Sequence, residues 1–257
     1  MNNIEESNFS YIKNIFESIS NEYDFMNDLM TFNNHSKWKK EIVKIAIDSS
    51  PKKILDIATG TGDIAIKLSK IKGAIIDAID VSDNMLKIAH NKIDKLNIDN
   101  INLKTCEAEN LVFDDNHFDI ISIGYGVRNF TNLNKGLSES YRVLKKNGKL
   151  IILETSIPEN PIIKFLYTLI TTIYIPLIAF LFSRKAKAYI YLLNSTKKFP
   201  PKNKFLEILN RIGFKKIETR KKLMNLRVES AVRKKLISKQ IKPSLSPPFK
   251  ILISSNK

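Results

Sequence analysis

The chain has 257 residues, 43% of them hydrophobic, enough to bury a full core as one large domain. Its net charge is +16 and the excess lies at the end: residues 1–182 carry 21 Lys and Arg against 23 Asp and Glu, residues 183–257 carry 21 against 3. A single cysteine, Cys106, excludes an internal disulfide framework and a Cys-based zinc site, and no metal site is expected. The N-terminus is acidic and lacks the apolar core of a secretory signal, so the chain reads as cytoplasmic. A basic final quarter suits a Lys-rich codon bias, or a segment attracted to an anionic membrane face or to nucleic acid.

In chain order, helices are predicted over 8–20 and 36–48, joined by the aromatic and Met-rich run Tyr23-Asp24-Phe25-Met26-Asn27-Asp28-Leu29-Met30. Residues 1–50 therefore read as a helical cap, able to cover a sheet edge or close over a pocket. Residues 51–160 read as the core. There, short apolar runs at 54–58, 75–79, 101–105, 118–123 and 150–154 alternate with helical periodicity at 64–71, 84–96 and 135–144. Such alternation predicts an α/β fold, with a mostly parallel sheet and helices on both faces. Asn147-Gly148 supplies a turn into the fifth strand.

Residues 165–182 carry no charge, and Lys164, Arg184, Lys185 and Lys187 flank them. One helix of that length measures about 27 Å, close to a bilayer span. Pro176 and three threonines point instead to two shorter helices, broken near the proline, that form a lid or lie on a membrane. Residues 161–200 read as this apolar insertion. A helix at 205–212, stopped by Gly213, and a strand at 216–219 end the core within 201–222. Residues 223–257 read as a basic tail, in which 249–254 has the pattern of an edge strand.

The stretch 54–65, Ile-Leu-Asp-Ile-Ala-Thr-Gly-Thr-Gly-Asp-Ile-Ala, is a strand, a glycine turn and a helix start. Gly60 and Gly62 let a ligand approach the backbone at a strand's carboxyl end. The turn satisfies a dinucleotide fingerprint, but Asp63 stands at the helix N-terminus where a pyrophosphate needs free amides. S-adenosylmethionine places opposite demands there. Asp56 or Asp63 can pair with its ammonium, and Asp80, ending the second strand, can accept both ribose hydroxyls. Helix capping is the structural alternative for Asp56 and for Asp80.

Four motifs then carry a resemblance. They are 23–30 followed by His35-Ser36-Lys37-Trp38-Lys39, the glycine turn, Gly124-Tyr125-Gly126-Val127-Arg128-Asn129, and 189–200 ending in Phe-Pro. In these the chain resembles the ubiquinone/menaquinone biosynthesis C-methyltransferase family, UbiE/MenG-like, among the class I S-adenosylmethionine-dependent methyltransferases. The resemblance covers roughly residues 10–215; the family's C-terminal stretch is replaced here by 226–257, which leaves the last strand open.

The resemblance implies a Rossmann-like, mostly parallel seven-stranded sheet with an N-terminal helical extension. It also implies methyl transfer from S-adenosylmethionine to a ring carbon of a prenylated quinol: demethylmenaquinol, with the ubiquinone-pathway benzoquinol as the alternative. Cofactor contacts fall at Asp56, Gly60, Thr61, Gly62, Asp80, Glu107 and Ala108. Arg128 is the candidate for stabilising a ring phenolate, because a guanidinium holds an oxyanion without taking its proton. Asn129 and Tyr125 are candidates for orienting the ring or the cofactor, and His35 and Tyr23 for proton handling or closure. The implied partners are a polyprenyl quinol and the inner face of the cell membrane, touched peripherally, with no nucleic acid and the oligomeric state open. An RNA-binding protein or RNA methyltransferase remains the reading of a different class. It draws on the basic final quarter but finds no aromatic stacking pattern.

Overall fold

The computed structural model describes residues 3–155, 157, 160–183, 185–222 and 249–255. Helices α1 (Asn3–Ile19), α2 (Tyr23–Thr31) and α3 (Asn34–Ile47) precede the first strand. The core follows as β1 (Lys53–Ile57), α4 (Asp63–Leu68), β2 (Ile75–Asp80), α5 (Asp83–Lys95), β3 (Ile101–Thr105), β4 (Phe118–Gly124), α6 (Leu133–Val143) and β5 (Leu144–Thr155). Then come α7 (Pro161–Leu169), a π-helical stretch Ile170–Tyr174, α8 (Ile175–Phe182), α9 (Ala186–Lys198), α10 (Lys202–Ile212), β6 (Glu218–Lys222) and β7 (Phe249–Ser255).

Five strands form the parallel body of the sheet, in the order β3-β2-β1-β4-β5. Beyond β5 the backbone continues antiparallel through β7 to β6. The segment expected at the edge, 249–254, is thus an internal strand paired on both sides. The expected tail residues 223–248 lie outside the described residues.

The strands are apolar on both sides because helices cover both. Ile54, Ile120 and Ile151 pack with Trp38, Ile42 and Leu68 of α3 and α4. Their neighbours Leu55, Ile121 and Ile152 pack with Leu137, Phe205 and Leu209 of α6 and α10. Adjacent residues facing opposite covered sides make continuous apolar runs, the pattern of a doubly covered parallel sheet. The sequential strands reverse direction of travel between β1 and β4, and the carboxyl ends at that point form the crevice where ligands bind in such sheets.

Two local expectations differ. Asn147-Gly148 lies inside β5 rather than before it: pairing jumps from Phe118–Leu144 to Ile120–Lys149, with Asn147 left-handed at φ 65°. The run Pro161–Phe182 is one helix of 22 residues, not two. It starts cleanly because Asn160 accepts bonds from the amides of Ile162 and Ile163 while Pro161 fills the first turn. Ahead of Pro176 the chain winds into the wider π turn, which absorbs the missing N–H and the ring without a break.

Candidate active site

The site grows from the ends of β1, β2 and β4. After β1 the backbone turns left-handed at Ala58 (φ 54°), Gly60 (φ 58°) and Gly62 (φ 82°), and the Thr59 amide donates to the Ile79 carbonyl, tying the turn to β2. At the end of β4, Tyr125 is left-handed as well, with φ 60°. A bulky residue in that region is strained, and such strain collects at functional clefts.

Several residues expected at the cofactor instead hold the turn together. Asp56 is fully buried and accepts Thr59 Oγ1 at 2.7 Å and Ser122 Oγ at 2.6 Å. Burial pushes its carboxyl up to about 6, against the lowering effect of those two bonds. Asp56 is absent from the cleft lining and bonds across to Ser122 of β4, so it is a strut between β1 and β4 rather than an ammonium partner. Asp63 receives Lys39 Nζ at 2.8 Å and Lys92 Nζ at 2.9 Å. Burial alone would raise its carboxyl, but the two ammoniums outweigh burial and hold it far below the usual carboxylate range. With its charge met twice over, Asp63 neither pairs with a cofactor ammonium nor argues against a pyrophosphate.

Thr61 also faces this network, donating to Asp24 Oδ1 at 2.7 Å, while Lys92 reaches Asp24 at 2.6 Å. The cluster of Asp24, Thr61, Asp63, Lys39 and Lys92 fastens the cap to the glycine turn. No sequence pattern joins α2, α3 and α5 at such distances along the chain, so the ion pairs of Lys39 and Lys92 with Asp63 are set by folding alone. Gly62 serves packing, since a Cβ on it would stand 3.0 Å from that of Ala89.

The cleft itself is lined by Gly60, Asp80, Ala108, Glu109, Tyr125 and Asn129, and on the cap side by Phe9, Ile12, Phe16 and Tyr23. Asp80 is 8% exposed, and accepts the Gly60 amide at 2.8 Å and the Ser82 amide at 2.9 Å, one on each oxygen. Each oxygen keeps a lone pair for a further donor. Burial raises this carboxyl while the backbone amides lower it, burial prevailing. The capping alternative for Asp80 falls to Ser82, whose Oγ accepts from the Met85 amide. A side chain on Gly60 would meet only the Tyr23 ring, at 4.0 Å, so the turn leaves open space on its cleft side.

Tyr125 is the second polar wall. Its hydroxyl is buried and has no hydrogen-bond partner among the described residues, and burial holds the phenol well above its usual pKa. A buried donor without a partner is costly, and on a residue that lines the cleft it is fit to meet a ligand oxygen. Asn129 sits beside it, with Nδ2 donating to the Tyr125 carbonyl at 3.4 Å.

Glu107 does not line the cleft, but Glu109, two residues on, does. It is 7% exposed, its carboxyl is raised by burial, and Oε1 accepts the Asn132 amide. The repeated acid in Glu107-Ala108-Glu109 was the available signal; the turn after β3 decides which one faces in. Cys106 also lines the cleft, its thiol pushed up by burial.

Arg128 is a larger departure. Its guanidinium ion-pairs with Glu154, which is 2% exposed, and its Nε donates to Ser195 Oγ at 3.2 Å. It borders a groove between α1 and α9 and not the cleft. The permanent positive charge that recommended Arg128 for a phenolate is thus neutralised within the protein. His35 is buried in the cap, with Nε2 2.6 Å from Asp28 Oδ1, and is absent from the cleft lining. Tyr23 closes over the turn as expected.

A doubly covered parallel sheet, a glycine turn after β1 and an acidic residue ending β2 are shared by dinucleotide-binding folds and the class I S-adenosylmethionine-dependent methyltransferases; the chain's relatives place it among the latter, with S-adenosylmethionine as the cofactor. Asp80 with two open lone pairs, the open face of Gly60 and the orphaned Tyr125 hydroxyl fit a molecule that carries a diol and further polar atoms. The fold resembles a solved S-adenosylmethionine-dependent methyltransferase of Thermotoga maritima described as a possible histamine N-methyltransferase. The TM-score is 0.63 at 20% identity, covering 95% of this chain and 99% of that one. A putative methyltransferase of Methanococcus maripaludis aligns with TM-score 0.55 at 20% identity over 89% of this chain and 90% of the other.

The chain belongs to the ubiE/COQ5 methyltransferase family, whose model matches residues 1–225. It is 40% identical over 220 residues to a demethylmenaquinone methyltransferase of Chlorobaculum parvum, covering 84% of this chain and 89% of that protein. It is 35% identical over 215 residues to the ubiquinone/menaquinone biosynthesis C-methyltransferase of Shewanella pealeana, covering 82% and 86%. The family match ends where the divergent stretch 226–257 begins.

Proposed function

We propose that the protein transfers a methyl group from S-adenosylmethionine to a ring carbon of a prenylated quinol, converting demethylmenaquinol to menaquinol. The observation that carries this is the two-sided cleft: Asp80, Glu109 and Tyr125 on one wall, Phe9, Ile12 and Phe16 of the cap on the other. Its support is the family and the relatives that bear this activity in their names. The cofactor, when bound, supplies an electrophilic methyl on a cationic sulfur with its own leaving group.

The chain's residues do the rest. Asp80 accepts hydrogen bonds from the hydroxyls of the cofactor and fixes its position. The aromatic cap wall excludes water and receives the apolar ring. Tyr125, neutral and desolvated, donates a hydrogen bond to the ring oxygen and stabilises negative charge developing there, the charge that makes the adjacent carbon nucleophilic. Asn129 braces the Tyr125 backbone. Arg128 acts through Glu154 in holding the turn, not on the ring.

Incubation with S-adenosylmethionine and short-chain demethylmenaquinol, followed by mass spectrometry, should yield menaquinol. A benzoquinol acceptor tests the second reading, favoured by the Shewanella relative's name. Methylation of the benzoquinol alone would move the assignment to it, and methylation of neither quinol would overturn both.

A further inference from the structure

Away from the cleft, the helix Pro161–Phe182 has an apolar surface that the described protein does not cover. Ten of its large apolar side chains are exposed, among them Ile162 at 69%, Phe165 at 63%, Ile173 at 59% and Phe180 at 77%. Scattered apolar exposure is ordinary on a protein surface, but ten such residues on one helix form a patch that marks an interaction site. Only a narrow seam is turned inward. Thr171 and Ala179 are buried, the Tyr174 hydroxyl donates to the Leu29 carbonyl at 3.2 Å, and the Tyr174 ring stacks on Phe32 at 5.4 Å.

We propose that this face docks on an anionic lipid bilayer, with the helix lying in the plane of the interface. Charge selects the partner. Residues 161–198 contain no Asp or Glu, while Lys164 precedes the apolar stretch and Arg184, Lys185, Lys187, Lys197 and Lys198 follow it. A second copy packed antiparallel on this face would set Lys164 against Lys185 and Lys187, cation against cation. Acidic headgroups around an apolar interior complement both parts of the surface at once.

The seam selects the orientation. A helix crossing the bilayer must give up the Tyr174–Leu29 bond, the Phe32 stack and the hydrogen bond from Ser183 to Glu22, which secure it to the cap at its middle and its end. Lying flat, it keeps all three and buries its exposed side. The same cap carries Phe9, Ile12 and Phe16 over the cleft. Lipid binding by this face needs no methyl acceptor and is measured without one.

The full chain is floated with phosphatidylcholine vesicles, with and without phosphatidylglycerol, at low and high salt. It should rise with the phosphatidylglycerol vesicles, less so at high salt, and be released by alkaline carbonate. Combining Phe165→Asn with Phe180→Asn removes two apolar anchors and leaves every charge in place; vesicle affinity should fall about tenfold or more. Lys185→Gln with Lys187→Gln should weaken binding only to the anionic vesicles, again by about tenfold. Wild-type binding by the double Asn variant would show that charge elsewhere in the basic final quarter carries the attraction, and would overturn the proposal. Retention after carbonate would replace docking with a span. Failure to float, with a dimer that Phe180→Asn dissociates, would assign the face to a second copy.

Discussion

At the glycine turn the carboxylates of Asp24, Asp56, Asp63 and Asp80 gather, and each is met by hydroxyls, amides or ammoniums at 2.6–2.9 Å. Along Pro161–Phe182, ten large apolar side chains face solvent. The two regions handle a mismatch with their surroundings differently. A polar group taken out of water costs several kcal/mol unless it is partnered inside, so the turn is largely self-satisfied, and of these four carboxylates only Asp80 lines the cleft. An apolar side chain left in water costs less and needs no internal remedy, so the helix surface stays available to something that is not water.

The largest expected effect tests the rule of internal partnering. Arg128→Met leaves Glu154 buried without its cation and should destabilise the protein by about 3–5 kcal/mol in chemical denaturation. Adding Glu154→Met should recover most of that loss, because both charges are then gone. A single-variant loss below about 1 kcal/mol would show that the pair is hydrated in solution.

Next in size is a pH effect at Asp56. Its folded carboxyl titrates at about 6 against an ordinary 3.8, so the folded state holds the proton more tightly than the unfolded one. This contribution is fully favourable below about 4, is lost as pH rises towards about 6, and stays lost above it, a fall of about 3 kcal/mol. Asp56→Asn should flatten that slope in thermal melts across the window. An unchanged slope would place the titrating group elsewhere.

Asp80→Ala should weaken S-adenosylmethionine binding about thirtyfold in calorimetry, from loss of charged acceptors worth about 2 kcal/mol. Unchanged affinity would mean that Asp80, like Asp56, only braces the turn. The smallest effect lies on the other side of the comparison: Phe180→Asn, at a residue 77% exposed, should leave unfolding free energy within about 0.5 kcal/mol of wild type. A larger loss would show that the helix face is covered in the free protein.

Much of the fold was legible because apolar periodicity is local. The third strand matches its expected span residue for residue, and β1, β2 and β4 lie within a residue of theirs. The helix over Pro161–Phe182 was misjudged because Pro176 was read through its own geometry, whereas a π turn ahead of it absorbed the defect. At the site, Gly60, Asp80, Ala108, Tyr125 and Asn129 line the cleft. Asp56, Thr61, Gly62, Glu107 and Arg128 do not, and all except Glu107 stand in contacts with residues distant in the chain.

The amino-acid sequence by itself determined the alternating strands and helices, the glycine turn, the acidic end of β2 and the charge-free stretch 165–182, since each depends on neighbours within a few residues. Only the tertiary structure decided which carboxylate stays open to a ligand. Asp63 lost that role to Lys39 and Lys92, and Asp56 to Thr59 and Ser122; apart from Thr59, the groups that claimed them come from helices and strands brought alongside only by folding. A side chain's chemistry is local, but the partners that consume it are chosen by packing.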